Sequence, residues 1–296
     1  MKVLSLATTF SLLLLSVKIT AVAQADSLAR KGSHLGISAN YLSNAVYSGR
    51  KDSAAVPYFR PALGYYHKSG IYITAGSALL LNSSNPASVD AVTFNVGYDF
   101  NIGDKINAGL NIEKSFYTNS SYAVQSEIKG EGGIYMGYDA NFVSINASSY
   151  MMYSTALDVS TTFGLSHSIN LGKNDNGWEI NPAVKANFGS QNFYQAYYSN
   201  RKYSANRGKG SSKKGGTSSS SSTPSPKLSF TTKSAYTILD YEITAPIKFS
   251  KKTWGLYLEP VYAMPHSPVT YLIDNRLHTE KLTNSFFVEI GGSVNF

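Results

Sequence analysis

The chain has 296 residues, a formal net charge of +8 and no cysteine. Without cysteine, neither a disulfide framework nor a thiolate metal site can form. Charged residues make up 15% of the chain and aromatic residues 13%, including 22 tyrosines, which suits a surface in contact with lipid at two interfaces.

The N-terminus has the features of a cleaved secretory signal peptide. Lys2 precedes an apolar run from Val3 to Val17, and small residues lead to Ala23-Gln24-Ala25, a typical cleavage motif. The apolar run is shorter than the about 20 residues that a membrane-spanning helix requires. We therefore predict a signal peptide at residues 1–25 and a mature domain at residues 26–296.

Twelve segments of the mature chain alternate apolar and polar residues with a period of two, the pattern of β-strands. Their lengths of about ten to fifteen residues are those of tilted strands that cross a bilayer. Four prolines lie inside these segments, where we expect bulges or strand ends because proline donates no ladder hydrogen bond: Pro61, Pro182, Pro246 and Pro260. We predict strands at residues 34–42, 58–67, 71–81, 89–100, 106–116, 124–138, 142–153, 157–171, 178–189, 239–249, 254–264 and 286–296.

The lengths of the connections indicate how these strands are arranged. Most connections after even-numbered strands are short, whereas three after odd-numbered strands are long, at residues 44–56, 191–233 and 265–284. Barrels with both termini on the periplasmic side have short periplasmic turns and long external loops. A soluble β-sandwich would show the same alternation with its apolar face turned inward. The loop asymmetry favours an all-β fold, a single closed antiparallel transmembrane β-barrel of about twelve strands.

The last strand carries the most specific signal in the chain. One of its faces is entirely apolar or small, and it consists of Phe286, Val288, Ile290, Gly292, Val294 and Phe296. Such a strand, closed by phenylalanine, resembles the assembly signal of Gram-negative outer-membrane β-barrel proteins, and the mature chain resembles a small porin-like barrel. The resemblance implies insertion by the barrel-assembly machinery and residence in the cell outer membrane, in contact with lipid and lipopolysaccharide.

The net positive charge is concentrated in one loop. Eight cations and no acidic residue lie between Gln191 and Lys233: Arg201, Lys202, Arg207, Lys209, Lys213, Lys214, Lys227 and Lys233. We expect the Ser-, Gly- and Lys-rich centre, about residues 204–227, to be disordered, and the flanks at 193–203 and 228–230 to extend the ninth and tenth strands. Outside a cell this loop suits lipopolysaccharide phosphates or an unidentified protein partner better than nucleic acid, and a solvated linker is the simplest interpretation.

If the apolar strand faces meet lipid, the charged residues on the opposite faces line the lumen. Buried charges are stable only when they are paired or hydrated, so these residues either surround water in a narrow pore or form an ion-pair network that closes it. Acidic residues predominate, which favours a mild preference for cations. The candidate lumen residues are Arg60, Glu113, Glu127, Lys129, Glu131, Asp158, Glu179, Lys185, Asp240, Glu242, Lys248, Glu259 and Glu289.

The leading functional prediction is a narrow passive channel for small polar solutes, or a structural barrel. A hydrolase of outer-leaflet lipid is the first alternative, since His67 and Ser69 could supply a base and a nucleophile, although both fall at a predicted periplasmic turn. An adhesion or assembly subunit that uses the basic loop is the second. We predict no catalytic residues, no cofactor and no metal ligands, because neither an H-E-x-x-H motif nor a carboxylate-rich calcium loop occurs.

Overall fold

The computed structural model describes residues 32–52, 55–82, 85–173, 176–202, 228–230 and 235–296. The predicted signal peptide and the centre of the basic loop lie outside them. No helix of the described part is long and apolar enough to cross a membrane.

Twelve antiparallel strands form a closed barrel, in which the last strand pairs with the first. Residues Gly36 to Leu42 lie opposite Asn295 to Glu289 and complete the ring. Three of the strands consist of two segments each. The strands are β1 His34–Leu42, β2 Tyr58–Tyr66, β3 Ile71–Asn82, β4 Asn85–Ile102, β5 Ile106–Tyr117, β6 Gly130–Asp139, β7 Ser144–Tyr153, β8 Leu157–Ser166 and Ile169–Lys173, β9 Asn176–Ile180 and Ala183–Gly189, β10 Thr237–Thr244 and Ile247–Lys251, β11 Trp254–Pro265, and β12 Ser285–Asn295.

The structure confirms the predicted fold class, and each predicted strand has a counterpart. The largest disagreement concerns the sixth strand, which was expected to begin at Val124. Val124–Glu127 is instead a 3-10 helix, and β6 begins at Gly130. The side chain of Val124 is fully buried, because this segment turns inward over the barrel mouth instead of continuing the wall.

None of the four prolines lies at a bulge. The expectation of a bulge or strand end is therefore wrong for Pro61 and Pro260, whereas strand segments do end beside Pro182 and Pro246. Pro61 and Pro260 lie within continuous strands, whereas Pro182 and Pro246 interrupt β9 and β10 without changing the register. Three of the prolines share one row across β8 to β11. There His167, Asn181 and Ala245 donate their backbone N–H groups to the carbonyls of Pro182, Pro246 and Pro260 at 3.1, 2.9 and 3.3 Å. Proline cannot return the second hydrogen bond of each pair.

The outward faces of the strands form an apolar belt. Ile37, Ile73 and Phe163 are about half exposed, at 50, 54 and 48%. At the rim that carries the short turns, the Phe249 ring contacts the rings of Trp178 and Trp254, with centroid distances of 4.9 and 5.5 Å. Aromatic residues at this position are typical of the lipid–water interface of membrane barrels.

Four insertions fold over the opposite rim and form what we call the cap. It contains the hairpin Val46–Tyr47/Arg50–Lys51, the 3-10 helix Val124–Glu127, the helix α1 Asn192–Tyr197 with the π-helical turn Tyr198–Lys202, and a sheet of Leu228–Phe230, Thr270–Ile273 and Arg276–Thr279. All of them connect an odd-numbered strand to the next strand, so they lie at one end, the long-loop rim. The described flanks of the basic loop therefore belong to the cap. The expectation that they extend β9 and β10 is wrong.

Candidate lumen site

The cap packs into the barrel mouth through an apolar core. Phe193 and Tyr197 of α1 are 1% and 0% exposed and contact Tyr47 of the hairpin and Met152 of β7. A second cluster joins Ala45, Val56 and Ala123 of the long loops to inward-facing side chains at the long-loop ends of the strands: Leu42, Tyr58, Leu80, Val261, Ala263 and Phe287. The lumen is therefore apolar at this end, where these side chains pack against one another.

Arg50 joins three loops of the cap. Its Nη2 donates hydrogen bonds to the Oε1 of Gln191 at 2.8 Å and to the backbone carbonyls of His266 and Ser267 at 3.1 and 2.8 Å. Its Nε lies 3.4 Å from an oxygen of Glu280. The guanidinium is buried and charged, so this geometry ties the hairpin to the loops that follow β9 and β11.

Asp158 fixes the start of helix α1. Its carboxylate accepts hydrogen bonds from the backbone N–H groups of Asn192 and Phe193 at 2.9 and 2.7 Å, and from the Ser190 hydroxyl at 2.5 Å. A carboxylate at this place satisfies N–H groups that have no partner within the helix. Asp158 is fully buried and anchors the cap, so it does not line an open lumen.

Two buried tyrosines of the cap remain neutral phenols. Burial raises the pKa of Tyr47 well above its ordinary value, and its hydroxyl donates to the sulfur of Met152 at 2.9 Å. Burial, reinforced by the carboxylate of Glu280, also raises the pKa of Tyr194. Ionisation of either phenol would place a charge in the apolar core.

Tyrosines fill one side of the lumen near the short-turn rim. Tyr72 of β3 lies over Gly97 of β4, and Tyr135 of β6 lies over Gly109 of β5 and donates to Asp99. A Cβ at Gly97 would come within 2.3 Å of the Tyr72 ring, so only glycine leaves room for it.

Beneath the cap lies a cavity of about 440 Å³, which we call the lumen cavity. Its wall towards the cap is largely apolar and includes Leu42, Tyr117 and Phe287. The remainder of its wall mixes small and apolar residues, such as Ala183 and Pro246, with six charged side chains: Arg60, Lys185, Glu242, Lys248, Glu259 and Glu289. Three cations and three carboxylates balance one another, so the cavity itself lacks the acidic excess that the sequence indicated.

Five of these six charged side chains form two separate ion-paired groups. Glu289 is 1% exposed, lies 2.7 Å from Arg60, and accepts hydrogen bonds from Asn40 at 3.2 Å and from the Tyr257 hydroxyl. The Nζ of Lys185 lies 4.0 Å from Glu242 and 3.9 Å from Glu259. The second group is looser than the first, because one ammonium is shared by two carboxylates at the limit of ion-pair distance.

Several polar atoms that line the lumen cavity have no hydrogen-bond partner among the described residues. They include the hydroxyls of Ser48, at the tip of the cap hairpin, and of Thr244 on β10, and the side-chain oxygen of Asn181 on β9. Ser48 and Thr244 are 3% and 2% exposed. Buried polar groups are normally satisfied by protein or by water, so these atoms are suited to water or to a polar solute.

Four other predicted lumen residues do not line the lumen cavity: Glu113, Glu131, Asp240 and Glu179. Glu113 and Glu131 face inward as a cross-strand pair beside a small separate pocket. Asp240 is buried and accepts from Asn187 at 2.7 Å, and Glu179 lies near the short-turn rim, where Ser168 donates to it at 3.1 Å.

Two predicted lumen residues, Glu127 and Lys129, lie outside the barrel wall's inner face. Glu127 belongs to the cap, where it accepts from Asn200 at 3.0 Å. Lys129 is exposed, and its ammonium lies 5.7 Å from the centre of the outward-facing Tyr153 ring. Lys129 precedes β6, which begins only at Gly130, so the strand alternation used to place it does not apply there.

The remaining predicted residues divide between the outer surface and the undescribed loop. Phe286, Ile290, Val294 and Phe296 are exposed on the outer face of β12 or at its end, and Val288 and Gly292 share that face. Arg201 and Lys202 end the π-helical turn of the cap. The other six residues of the predicted basic loop lie outside the described residues: Arg207, Lys209, Lys213, Lys214, Lys227 and Lys233.

His67 and Ser69 do approach each other, but as part of a turn. The Nδ1 of His67 lies 2.8 Å from the Ser69 hydroxyl and also accepts the backbone N–H of Ser69 at 3.3 Å. Both residues lie at the short-turn rim between β2 and β3. Among the described residues no group of three or more histidine, aspartate or glutamate side chains could hold a metal ion.

A closed barrel with an apolar exterior and an interfacial aromatic cluster decides the class of protein. The chain is a twelve-stranded outer-membrane β-barrel. No protein-family model and no curated protein matches it. Among solved structures it is similar to the KdgM porin, at 8% identity over 88% of this chain and 99% of that one, with a TM-score of 0.45. It is likewise similar to the NanC porin, at 12% identity over 88% and 98% with a TM-score of 0.45, and to LpxR from Salmonella typhimurium, at 9% over 88% and 99% with 0.41.

Strand alternation did not reveal the cap core or Arg50, because it carries no information about loops that fold inward. The sequence did contain one indication of the cap core. Consecutive apolar residues such as Leu79 to Leu81 and Phe286-Phe287 occur at the long-loop ends of strands, so both faces of the wall are apolar there. An apolar inner face predicts a core inside the barrel mouth.

Proposed function

We propose that the barrel is a narrow passive channel for small polar solutes, closed in this conformation by the cap. The observation that carries the proposal is the lumen cavity of about 440 Å³, whose six charged side chains come from β2 and β9 to β12. An interior whose only role was mechanical would be stabilised more by apolar packing than by buried charges, which cost free energy when they leave water. Because long loops are typically external, the cap would close the outer end.

The proposal includes no catalytic step. The His67 and Ser69 pair is exposed at the short-turn rim, on the opposite side from the cap, and the Ser69 backbone shares the same ring nitrogen. A hydrolase of outer-leaflet lipid would need its nucleophile at the other rim. Lipid turnover that disappears in a His67→Ala variant would contradict this proposal.

A barrel in the outer membrane should have two kinds of partner, the barrel-assembly machinery and lipopolysaccharide. We propose that the exposed face of β12, from Phe286 to Phe296, is the segment recognised by the barrel-assembly machinery, and that the basic loop contacts lipopolysaccharide phosphates. Replacing Phe296 should reduce the amount of folded barrel in the membrane, and deleting residues 208–226 should weaken lipopolysaccharide binding without affecting folding.

Planar-bilayer recording tests the channel. We expect rare, small openings from the intact protein and a higher open fraction from Arg50→Ala, since this variant removes the contacts that join three cap loops. Lys51→Ala, one residue further along the same hairpin, is the matched control and should behave as the intact protein. If folded Arg50→Ala protein remains silent, the barrel is structural and the channel proposal fails.

A further inference from the structure

We infer that the lumen cavity is a binding site for a zwitterionic solute with an apolar group, such as an apolar amino acid or a short apolar peptide. This inference rests on the proposed channel and specifies what it selects. The structure supports it through the two-sided character of the cavity wall, the balance of its charges and the separation between two of them.

The wall requires a solute with two chemically different ends. The side towards the cap presents Leu42, Tyr117 and Phe287, and the hydroxyl of Ser48 is the polar group at the hairpin tip. The charged residues and Thr244 lie in the rest of the wall, among small and apolar residues such as Ala183 and Pro246. A fully polar solute would leave the apolar wall in contact with water, and a fully apolar solute would leave buried polar groups without partners, which is unfavourable in both cases. The cavity volume of about 440 Å³ is typical of sites for small molecules.

The charge balance excludes a site for a strongly cationic or anionic solute. The cavity carries three cations and three carboxylates, so a solute with one net charge gains no overall electrostatic attraction. A solute with one ammonium and one carboxylate can contact both signs and keeps the site neutral.

Lys248 and Glu259 supply the two complementary charges. Lys248 of β10 pairs with Tyr257 of β11, and Glu259 lies two residues further along β11 on the same face. Such diagonal neighbours have Cα atoms about 7–8 Å apart. Lys248 forms no ion pair with any described residue, so its ammonium remains available to a solute carboxylate. Glu259 shares Lys185 with Glu242, and a solute ammonium beside Glu259 would add a positive charge next to these two carboxylates.

Equilibrium binding to the detergent-solubilised full chain tests the inference with four probes. L-Phenylalanine has all three required groups, phenylpropionate lacks the ammonium, phenethylamine lacks the carboxylate, and glycine lacks the apolar group. We expect saturable binding of L-phenylalanine and affinities lower by about tenfold or more for each of the others, because each loses one charged or apolar contact.

Three variants connect the binding to the cavity. Lys248→Met, which keeps the aliphatic stem, and Glu259→Gln, which keeps the shape, should each weaken L-phenylalanine binding by about tenfold, whereas Lys105→Ala on the exposed β4–β5 turn should have no effect. Heat-modifiable gel mobility shows that each variant is folded, and two independent variants protect the test against one that fails to fold.

Three results would overturn the inference: phenylpropionate or phenethylamine binding as tightly as L-phenylalanine, unchanged affinity in folded Lys248→Met, or no saturable binding at all. Each leaves the channel proposal open, because conductance is recorded separately. A conducting protein without binding refutes only the solute class, whereas a silent bilayer refutes the channel.

Discussion

Glu289 holds a buried charge in the barrel wall that three side chains constrain. It is 1% exposed and is contacted by Arg60, Asn40 and Tyr257, which come from three other strands. The Arg60 cation and two hydrogen-bond donors replace the water that the Glu289 side chain loses on burial. Arg60, Tyr257 and Glu289 also line the lumen cavity, so this hydrogen-bonded group is part of its wall.

We expect Glu289→Ala to lower the free energy of unfolding by about 3 kcal/mol, since it leaves the Arg60 charge buried without its partner. Glu179→Ala near the short-turn rim, where the carboxylate has one hydroxyl donor, should cost less than about 1 kcal/mol. Urea unfolding in lipid vesicles measures both values. In the double variant Arg60→Ala/Glu289→Ala the loss should be smaller than the sum of the single losses, and strict additivity would show that the two groups do not interact.

At the scale of the strand, the proline row is a weakness in the wall beside the lumen cavity. Each of the pairs His167 with Pro182, Asn181 with Pro246 and Ala245 with Pro260 retains one backbone hydrogen bond of two. Pro246 and Asn181 also line the cavity, so a part of the ladder with a missing hydrogen bond borders the proposed site. The register nevertheless continues through the row, because the neighbouring pairs on both sides hold the strands in place.

Pro246→Ala should restore a donor to this row. The new N–H of residue 246 would lie opposite the carbonyl of Asn181, whose own N–H already donates to residue 246 at 2.9 Å. We expect the new amide to exchange with solvent as slowly as the neighbouring strand amides, and the added bond to contribute about 1 kcal/mol, partly offset by the greater freedom of the unfolded chain. Hydrogen exchange detected by mass spectrometry or NMR measures this protection. Rapid exchange at residue 246 would show that the strands separate there.

For the whole molecule, the sequence predicts the barrel wall well and its contents poorly. The clear alternation of Leu239 to Phe249 and of the β12 residues follows from one face meeting lipid, so strand number and topology could be read directly. The cap depends on contacts between residues far apart in the chain, such as Arg50 with Gln191 and Tyr197 with Asp52. No periodic pattern encodes those contacts. Whether Glu259 and Lys185 line a cavity or a sealed core depends on these loops, so the site could be predicted as a set of residues but not as a shape.

The buried phenols make the docking of the cap sensitive to alkaline pH. The pKa values of Tyr47 and Tyr194 are raised in the folded cap, so the stability that these groups contribute is fully present below the ordinary tyrosine pKa of 10.0 and is lost as the pH rises above it. Ionisation of each phenol should lower the stabilising free energy of cap docking by about 1.4 kcal/mol for every pH unit above the ordinary tyrosine pKa. We expect the open fraction in planar bilayers to rise steeply above this pH while the barrel remains folded. Tyr47→Phe/Tyr194→Phe should show a shallower rise, because two of the ionising groups are absent, and an equally steep rise in this variant would mean that other groups open the cap.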